Sequence, residues 1–354
     1  MLQYIRKAEK VGKEITGREE KTMDLNRLQE PITIGKLTVP NRLVMPPMAS
    51  GKTTKEGRVT DDICDYYGKR ADGGCIGLII VEHAFVSLEG KAHQGQMSIA
   101  EDGDISGLQK LTSIIHKDGT KAFIQINHAG SAASSSVTGC ETVSASTVQS
   151  SSGNVSREMK QEDIEKVISD FTAAAVRAKK AGFDGVEIHS AHGYLLNQFY
   201  SPLTNYRTDI YSGQYLEGRL RLHLQIIDAI RCEVGSEFPI AIRLGACDYM
   251  DGGTSLQDSV LAAQLLEKAG IDLLDISGGL CGFSRPGVKI PGYFSELSEE
   301  IKKYVSVPVL VTGGITDIFD AERLLEENRA DMIGVGRAIR KEWEWAKKIR
   351  LCRR

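Results

Sequence analysis

From about residue 41 onward the sequence alternates short apolar, β-branched-rich runs with longer segments of helical spacing, and it does so eight times. The runs are 42–48, 77–82, 122–127, 185–189, 240–244, 273–277, 308–313 and 331–336. Apolar on both faces, they read as parallel strands buried under helices. In the segment 162–182, Ile164, Val167, Ile168, Phe171, Ala174 and Ala175 recur on one face, Lys179 and Lys180 occupy the last turn, and Gly182 stops the helix. Segments 216–235, 255–270 and 317–328 repeat that pattern. Eight such units close into an α/β (β/α)8 TIM barrel, whereas an open doubly wound sheet usually has about five or six strands. Nucleotide fingerprints do not rescue the open sheet. "GVGRAI" (334–339) carries Ile339 at the third glycine position, and "GKT" (51–53) lacks the Walker glycine five residues before Gly51.

The expected organisation is a single barrel domain over 31–349, a charged and partly helical extension over 1–30, and a basic tail over 350–354. Residues 32–42 read as a hairpin around Gly35-Lys36, placed to plug the bottom of the barrel. The Ser/Thr/Gly-rich stretch 130–160 follows strand 3 as a long loop, either a cover for the site or a mobile segment. A net charge of -3 with no concentrated basic face argues against nucleic acid as a partner. No stretch approaches the ~20 apolar residues of a membrane helix, and the N-terminus lacks the apolar core of a signal peptide. Seven scattered cysteines without a C-x-x-C pair argue against a disulfide framework, a zinc site and an iron–sulfur cluster. A reducing cytoplasm fits them, and self-association is left open.

In this fold the active site lies at the C-terminal ends of the strands. Polar residues stand there: Gln125, Asn127 and His128 on strand 3, Glu187 and His189 sharing a face of strand 4, and Arg243 on strand 5. A buried arginine needs a partner, either an anion at the barrel mouth or an internal ion pair with Glu187. Strands 7 and 8 end in "TGG" (312–314) and "GVGR" (334–337), where such barrels commonly hold a phosphate. A phosphorylated cofactor across the mouth follows from these positions.

With those residues in view, the sequence resembles the old yellow enzyme family of FMN-dependent ene-reductases, over about 28–349. The resemblance rests on "PNRLVMPPM", "GLIIVE", "FIQINHAG", "GFDGVEIHSAHGYLLNQFYSPLTNYRTD" and "IGVGRA". It implies a noncovalent FMN, NADH or NADPH as electron donor, and an enone or related alkene as substrate. It implies that Pro46, Pro47, Met48 and Ala49 line the flavin and that the backbone at His83 faces its ring. Gln125 and Arg243 would bind the isoalloxazine, and Gly313, Gly314, Gly336 and Arg337 the phosphate. His189 and His192 would donate hydrogen bonds to the substrate carbonyl oxygen. Hydride would pass from flavin N5 to the β-carbon, and Tyr194 would protonate the α-carbon.

The sequence departs from the family pattern in places. Relatives often carry Thr or Cys where Ala49 stands, and short relatives a tyrosine at Gly51. The usual "DxYGGSxENR" stands as the one-residue-longer "DIYSGQYLEGR", changed at Ser212, Gln214 and Gly218. Longer relatives continue into an iron–sulfur segment and a second nucleotide-binding domain, whereas this sequence stops at Arg354. The expectation is therefore a short form in which the nicotinamide reduces the flavin in the same pocket. Alternatives remain at this stage: an FMN-dependent NADH oxidase or dehydrogenase, a passive flavin or ligand binder, and a metal-dependent hydrolase or lyase using His189, His192 and Glu187.

Overall fold

The computed structural model of the protein describes residues 25–149 and 155–351. The helical character expected before residue 25 and the end of the basic tail lie outside them. Eight parallel strands form the wall of a barrel: β1 (Leu43–Met45), β2 (Leu78–Phe85), β3 (Lys121–Asn127), β4 (Gly185–Ser190), β5 (Ile240–Gly245), β6 (Leu273–Ser277), β7 (Val309–Thr312) and β8 (Met332–Gly334). Each pairs with the next and β8 pairs back onto β1, so no edge among them is left open. The helices that follow the strands in turn are α1 (Asp61–Ala71), α2 (Ile105–His116), α3 (Gln161–Lys180), α4 (Leu216–Val234), α5 (Leu256–Lys268), α6 (Ser295–Lys302), α7 (Ile318–Glu326) and the short α8 (Arg337–Lys341). On α3 the buried face is Ile164, Val167, Phe171, Ala174, Ala175 and Ala178, while Ile168 is half-buried at its margin.

Strand limits follow local chemistry. The apolar run from residue 42 stops pairing at Met45, because Pro46 and Pro47 have no N–H to give a neighbouring strand. β2 runs past its apolar stretch to Phe85, with a register shift between Val81 and Ala84 where it pairs with β3. Bulges of this kind re-aim side chains, and here His83 lies inside the shift.

The expected hairpin forms from Ile32–Ile34 and Leu37–Val39, with Gly35 in the left-handed region at φ 57°. Ile34 and Val39 pack on Leu78, Phe123, Leu273, Leu310 and Met332 near the N-terminal ends of the strands, closing the bottom of the barrel. Residues before it are part of the packed body too. Leu25 and Leu28 are buried in the main core, and the buried Glu322 accepts from Arg27 N (2.7 Å) and Leu28 N (2.8 Å). The long segment after β3 contains three short strands, Val143–Ser144, Val148–Gln149 and Val155–Glu158, in a small sheet of their own. Arg207, in the loop after β4, donates to Ala145 O and Met159 O and anchors that sheet beside the barrel mouth. No helix among the described residues is long and apolar enough to cross a membrane.

One buried carboxylate ties together the loops that surround the site. Asp248, after β5, accepts from Ser201 Oγ (2.6 Å) in the loop after β4 and from Thr254 N (2.8 Å) in its own loop. It also accepts from Leu280 N (2.7 Å) in the loop after β6. Asp248→Ala removes all three acceptor bonds and leaves two backbone N–H groups without a partner. It is expected to destabilise the fold by on the order of 3 kcal/mol or more, and Asp248→Asn by less, since one oxygen remains. Urea unfolding of the two variants checks this; a loss below about 0.5 kcal/mol for the alanine variant would show that the loops are held by something else.

Candidate active site

The C-terminal ends of the strands surround a cavity of about 550 Å3. Pro46, Pro47, Met48 and Ala49 leave β1 along one side, and His83, Gln125, His189 and Arg243 come from β2 to β5. Gly336 and Arg337 close the far end after β8. Gly314 also lines the cavity, whereas Gly313 stands behind it. A Cβ at Gly314 would lie 2.7 Å from the Tyr293 ring and one at Gly313 3.1 Å, so both positions are small because Tyr293 packs on them.

The floor is a row of polar groups set by parallel register. Gln125 stands opposite Glu187, and its Nε2 donates to Glu187 Oε1 at 2.7 Å. His189 stands opposite Arg243, and Arg243 opposite Asp275. Arg243 Nε lies 3.2 Å from Asp275 Oδ2, an ion pair at a distance but without hydrogen-bond alignment. The ion-pair partner of Arg243 is thus Asp275 and not Glu187, because the register sets Asp275 beside Arg243 while Glu187 stands opposite Ala241 and accepts from Gln125. Burial, with the Asp275 charge beside it, pushes the Glu187 carboxyl well above the usual range. Burial also lifts Asp275 to about 6 against the opposing pull of Arg243.

The two histidines of the "HSAH" stretch reach the mouth by different routes. His189 projects inward from the end of β4. His192 sits in the left-handed region at φ 60°, a conformation that is strained for a residue with a Cβ. Its neighbours hold it there: Gly193 N donates to Asn197 Oδ1 at 2.8 Å and Gln198 Nε2 to Gly193 O at 2.6 Å. The rings of His189 and His192 meet edge to face at 5.1 Å, and Tyr194 lies 5.1 Å from His189 and 5.6 Å from His83. Burial holds both His189 and His192 well below the ordinary histidine range, helped by the nearby Arg243 charge, so both are neutral imidazoles. Burial likewise takes His83 down to about 3 and raises the Tyr194 phenol. Among the described residues no group of three or more His, Cys, Asp or Glu side chains is placed to hold a metal ion.

Several lining residues have no part in the motifs read from sequence: His93, Phe283, Tyr293, Ile315 and Arg340; Thr312 stands in the "TGG" motif but without a role of its own. Thr312 and Arg340 carried a signal, since one ends β7 and the other follows Arg337 by three on a helix. The others sit in loops where no period marks an inward face. Tyr293 has an evident task. Its hydroxyl donates to Phe283 O (2.7 Å) and accepts from Arg337 Nη2 (3.2 Å), so it fixes the arginine at the cavity end.

The chain belongs to the NADH:flavin oxidoreductase / NADH oxidase family, which matches residues 27–353. It is 41% identical over 325 residues to an NADH oxidase of Thermoanaerobacter brockii, covering 90% of this chain and 50% of that protein. Among solved structures, a 2-naphthoyl-CoA reductase in complex with 2-naphthoyl-CoA is similar at TM-score 0.88 and 30% identity, covering 93% of this chain and 53% of that one. An old yellow enzyme homologue from Zymomonas mobilis is similar at TM-score 0.77 and 29% identity, over 88% and 89%. The chain spans about half the length of the curated relatives it matches.

The cofactor of this family is FMN, and the residues fit it. Thr312 Oγ1 is buried at the cavity wall without a hydrogen-bond partner among the described residues, as a group awaiting a polar ring edge would be. Pro46, Pro47 and Met48 offer an apolar face, and Gly336 leaves room where a Cβ would stand 3.1 Å from Met48 Sδ. Arg337 would hold the phosphate. Arg337→Ala is expected to weaken FMN binding by roughly 10- to 100-fold, the worth of a charge-assisted contact. Flavin fluorescence titration of the apoprotein measures this, and an unchanged Kd would put the phosphate elsewhere.

Proposed function

We propose that this chain is an FMN-dependent NAD(P)H oxidoreductase that reduces the activated C=C bond of α,β-unsaturated carbonyl compounds. The observation that carries the reading is the clustering of three rings at the mouth of the cavity, with His189 5.1 Å from both His192 and Tyr194; burial favours the neutral form of both imidazoles and of the phenol. When bound and reduced by NADH or NADPH, FMN would supply the hydride for the alkene β-carbon. As that bond forms, negative charge gathers on the carbonyl oxygen. His189 and His192 are the N–H donors for it, and one such preorganised donor is worth about 3 kcal/mol in the transition state. The α-carbon then takes a proton from the Tyr194 hydroxyl, which burial keeps protonated at neutral pH, and solvent returns that proton to the phenol.

The name of the Thermoanaerobacter brockii relative favours a second reading, in which electrons pass to dioxygen in place of an alkene. Oxygen uptake with NADH alone, compared with uptake when an enone is added, separates the two: an ene-reductase diverts its electrons to the enone.

Nicotinamide oxidation needs no proton on carbon, so the two half-reactions should part in Tyr194→Phe. Flavin reduction is expected to persist within a few-fold, while reoxidation by cyclohexenone slows by roughly 10²- to 10⁴-fold, the usual worth of a positioned acid. Stopped-flow traces of each half-reaction decide the matter. Equal slowing of both would make Tyr194 a pocket-shaping residue, and unchanged reoxidation would mean that another group delivers the proton.

A further inference from the structure

We propose that Ser277 is a positioning residue that selects the ring tautomer of His192, leaving the Nδ1–H as the donor for a substrate oxygen. The proposal rests on the reading of His192 as a carbonyl donor and goes beyond it to the residue that makes the ring a donor at all.

Ser277 closes β6 and is 1% exposed. Its carbonyl accepts from Ala246 N at 3.0 Å, which holds the end of the strand against β5. Its Oγ stands 2.8 Å from His192 Nε2 and makes no other hydrogen bond among the described residues. On the ring's other side Phe283 packs edge to face at 6.3 Å, and the left-handed backbone at His192 fixes where the ring starts. The ring therefore has one nitrogen committed to the serine, and Nδ1 is the nitrogen left for a ligand in the cavity it lines.

A neutral imidazole carries one N–H, so its two tautomers offer opposite things to a substrate. If Nε2 holds the hydrogen, it donates to Ser277 Oγ. The buried serine O–H then has no acceptor, and Nδ1 faces the carbonyl oxygen lone pair to lone pair. If Nδ1 holds the hydrogen, the serine O–H donates into bare Nε2 and every group is satisfied. Leaving a buried hydroxyl donor unpaired disfavours the first arrangement by roughly 5- to 150-fold. A histidine side chain in water prefers the hydrogen on Nε2, so the serine inverts the intrinsic preference. It works through His192 and need not touch the substrate.

The test uses the FMN-loaded protein with ring-15N histidine. Long-range 1H–15N spectra distinguish the two tautomers, and His192→Ala identifies the His192 signals among those of the seven histidines. The expected result is Nδ1–H at His192 in the native protein, reversion toward Nε2–H in Ser277→Ala, and recovery in Ser277→Thr. A phenol titrated across pH 5 to 9 provides the second arm. The probe is an acidified phenol such as 4-nitrophenol, which ionises near pH 7 rather than at the usual phenol value of about 10. Neutral histidines have no charge to lose, so phenolate affinity should climb with pH to the plateau set by phenol ionisation, with no decline near pH 6.5. Ser277→Ala should lower the plateau about 5-fold or more, and Ser277→Thr should restore it. An Nε2–H native ring, or a tautomer indifferent to Ser277→Ala, overturns the proposal. The native spectrum alone can do so, even if a variant folds poorly. A tautomer that follows Ser277 while His192→Ala binds phenolate like the native protein overturns instead the donor role of His192.

Discussion

Arg243 is only 5% exposed in the barrel wall, with His189 opposite it on β4 and Asp275 opposite it on β6. A guanidinium cannot shed its proton to escape burial, so its surroundings have to adapt to it. Asp275 supplies the partner charge. A second buried carboxyl, Glu187, must then take up a proton more readily than usual, because two carboxylates and one arginine cannot all be charged without water. On the opposite side the same positive charge discourages protonation of His189 and His192 beyond what burial already does. Burial and one fixed cation thus both favour neutral imidazoles at the mouth.

The donors are precise only if the loops carrying them are stiff. His192 occupies a strained backbone conformation, and Asn197, Gln198 and the turn at Gly193 over-determine it. Asp248 ties the loops after β4, β5 and β6 to one carboxylate. Tyr293 sets Arg337 at the far end of the cavity and bonds back to the loop of Phe283. The barrel supplies radial placement and these buried polar ties supply orientation. That is why the site can bring side chains from many strands together without relying on any single loop.

Much of this was legible in the sequence. Strands buried on both faces leave continuous apolar runs, and parallel strands joined by helices leave a period that eight repeats make hard to mistake. The polar ends of β3, β4 and β5 were visible because Gln125, Glu187, His189 and Arg243 interrupt or end such runs. Sideways neighbours were not. Nothing in "LLDIS" says that Asp275 will stand beside Arg243, since that depends on the register between β5 and β6. His83 was read for its backbone, and the bulge in β2 also places its ring in the cavity. Tyr293 and Phe283 lie in a long loop without periodicity, and the small sheet after β3 hides in a Ser- and Thr-rich stretch whose composition reads as loop. Ser277 was visible only as the end of a strand, because its significance lies in one contact with His192.

In the proposed function the cavity directs hydride to one carbon of an activated alkene and a tyrosine proton to the next. Reduction of 2-methylcyclohexenone separates the two deliveries, run once with nicotinamide deuterated at the transferred position in ordinary water, and once with ordinary nicotinamide in deuterium oxide. The nicotinamide deuterium is expected at the β-carbon of the product. Solvent deuterium should appear at the α-carbon of product analysed before exchange, and that solvent incorporation should collapse in rate with Tyr194→Phe. Nicotinamide deuterium at the α-carbon, or nicotinamide oxidation with no reduced ketone formed, would rule that route out.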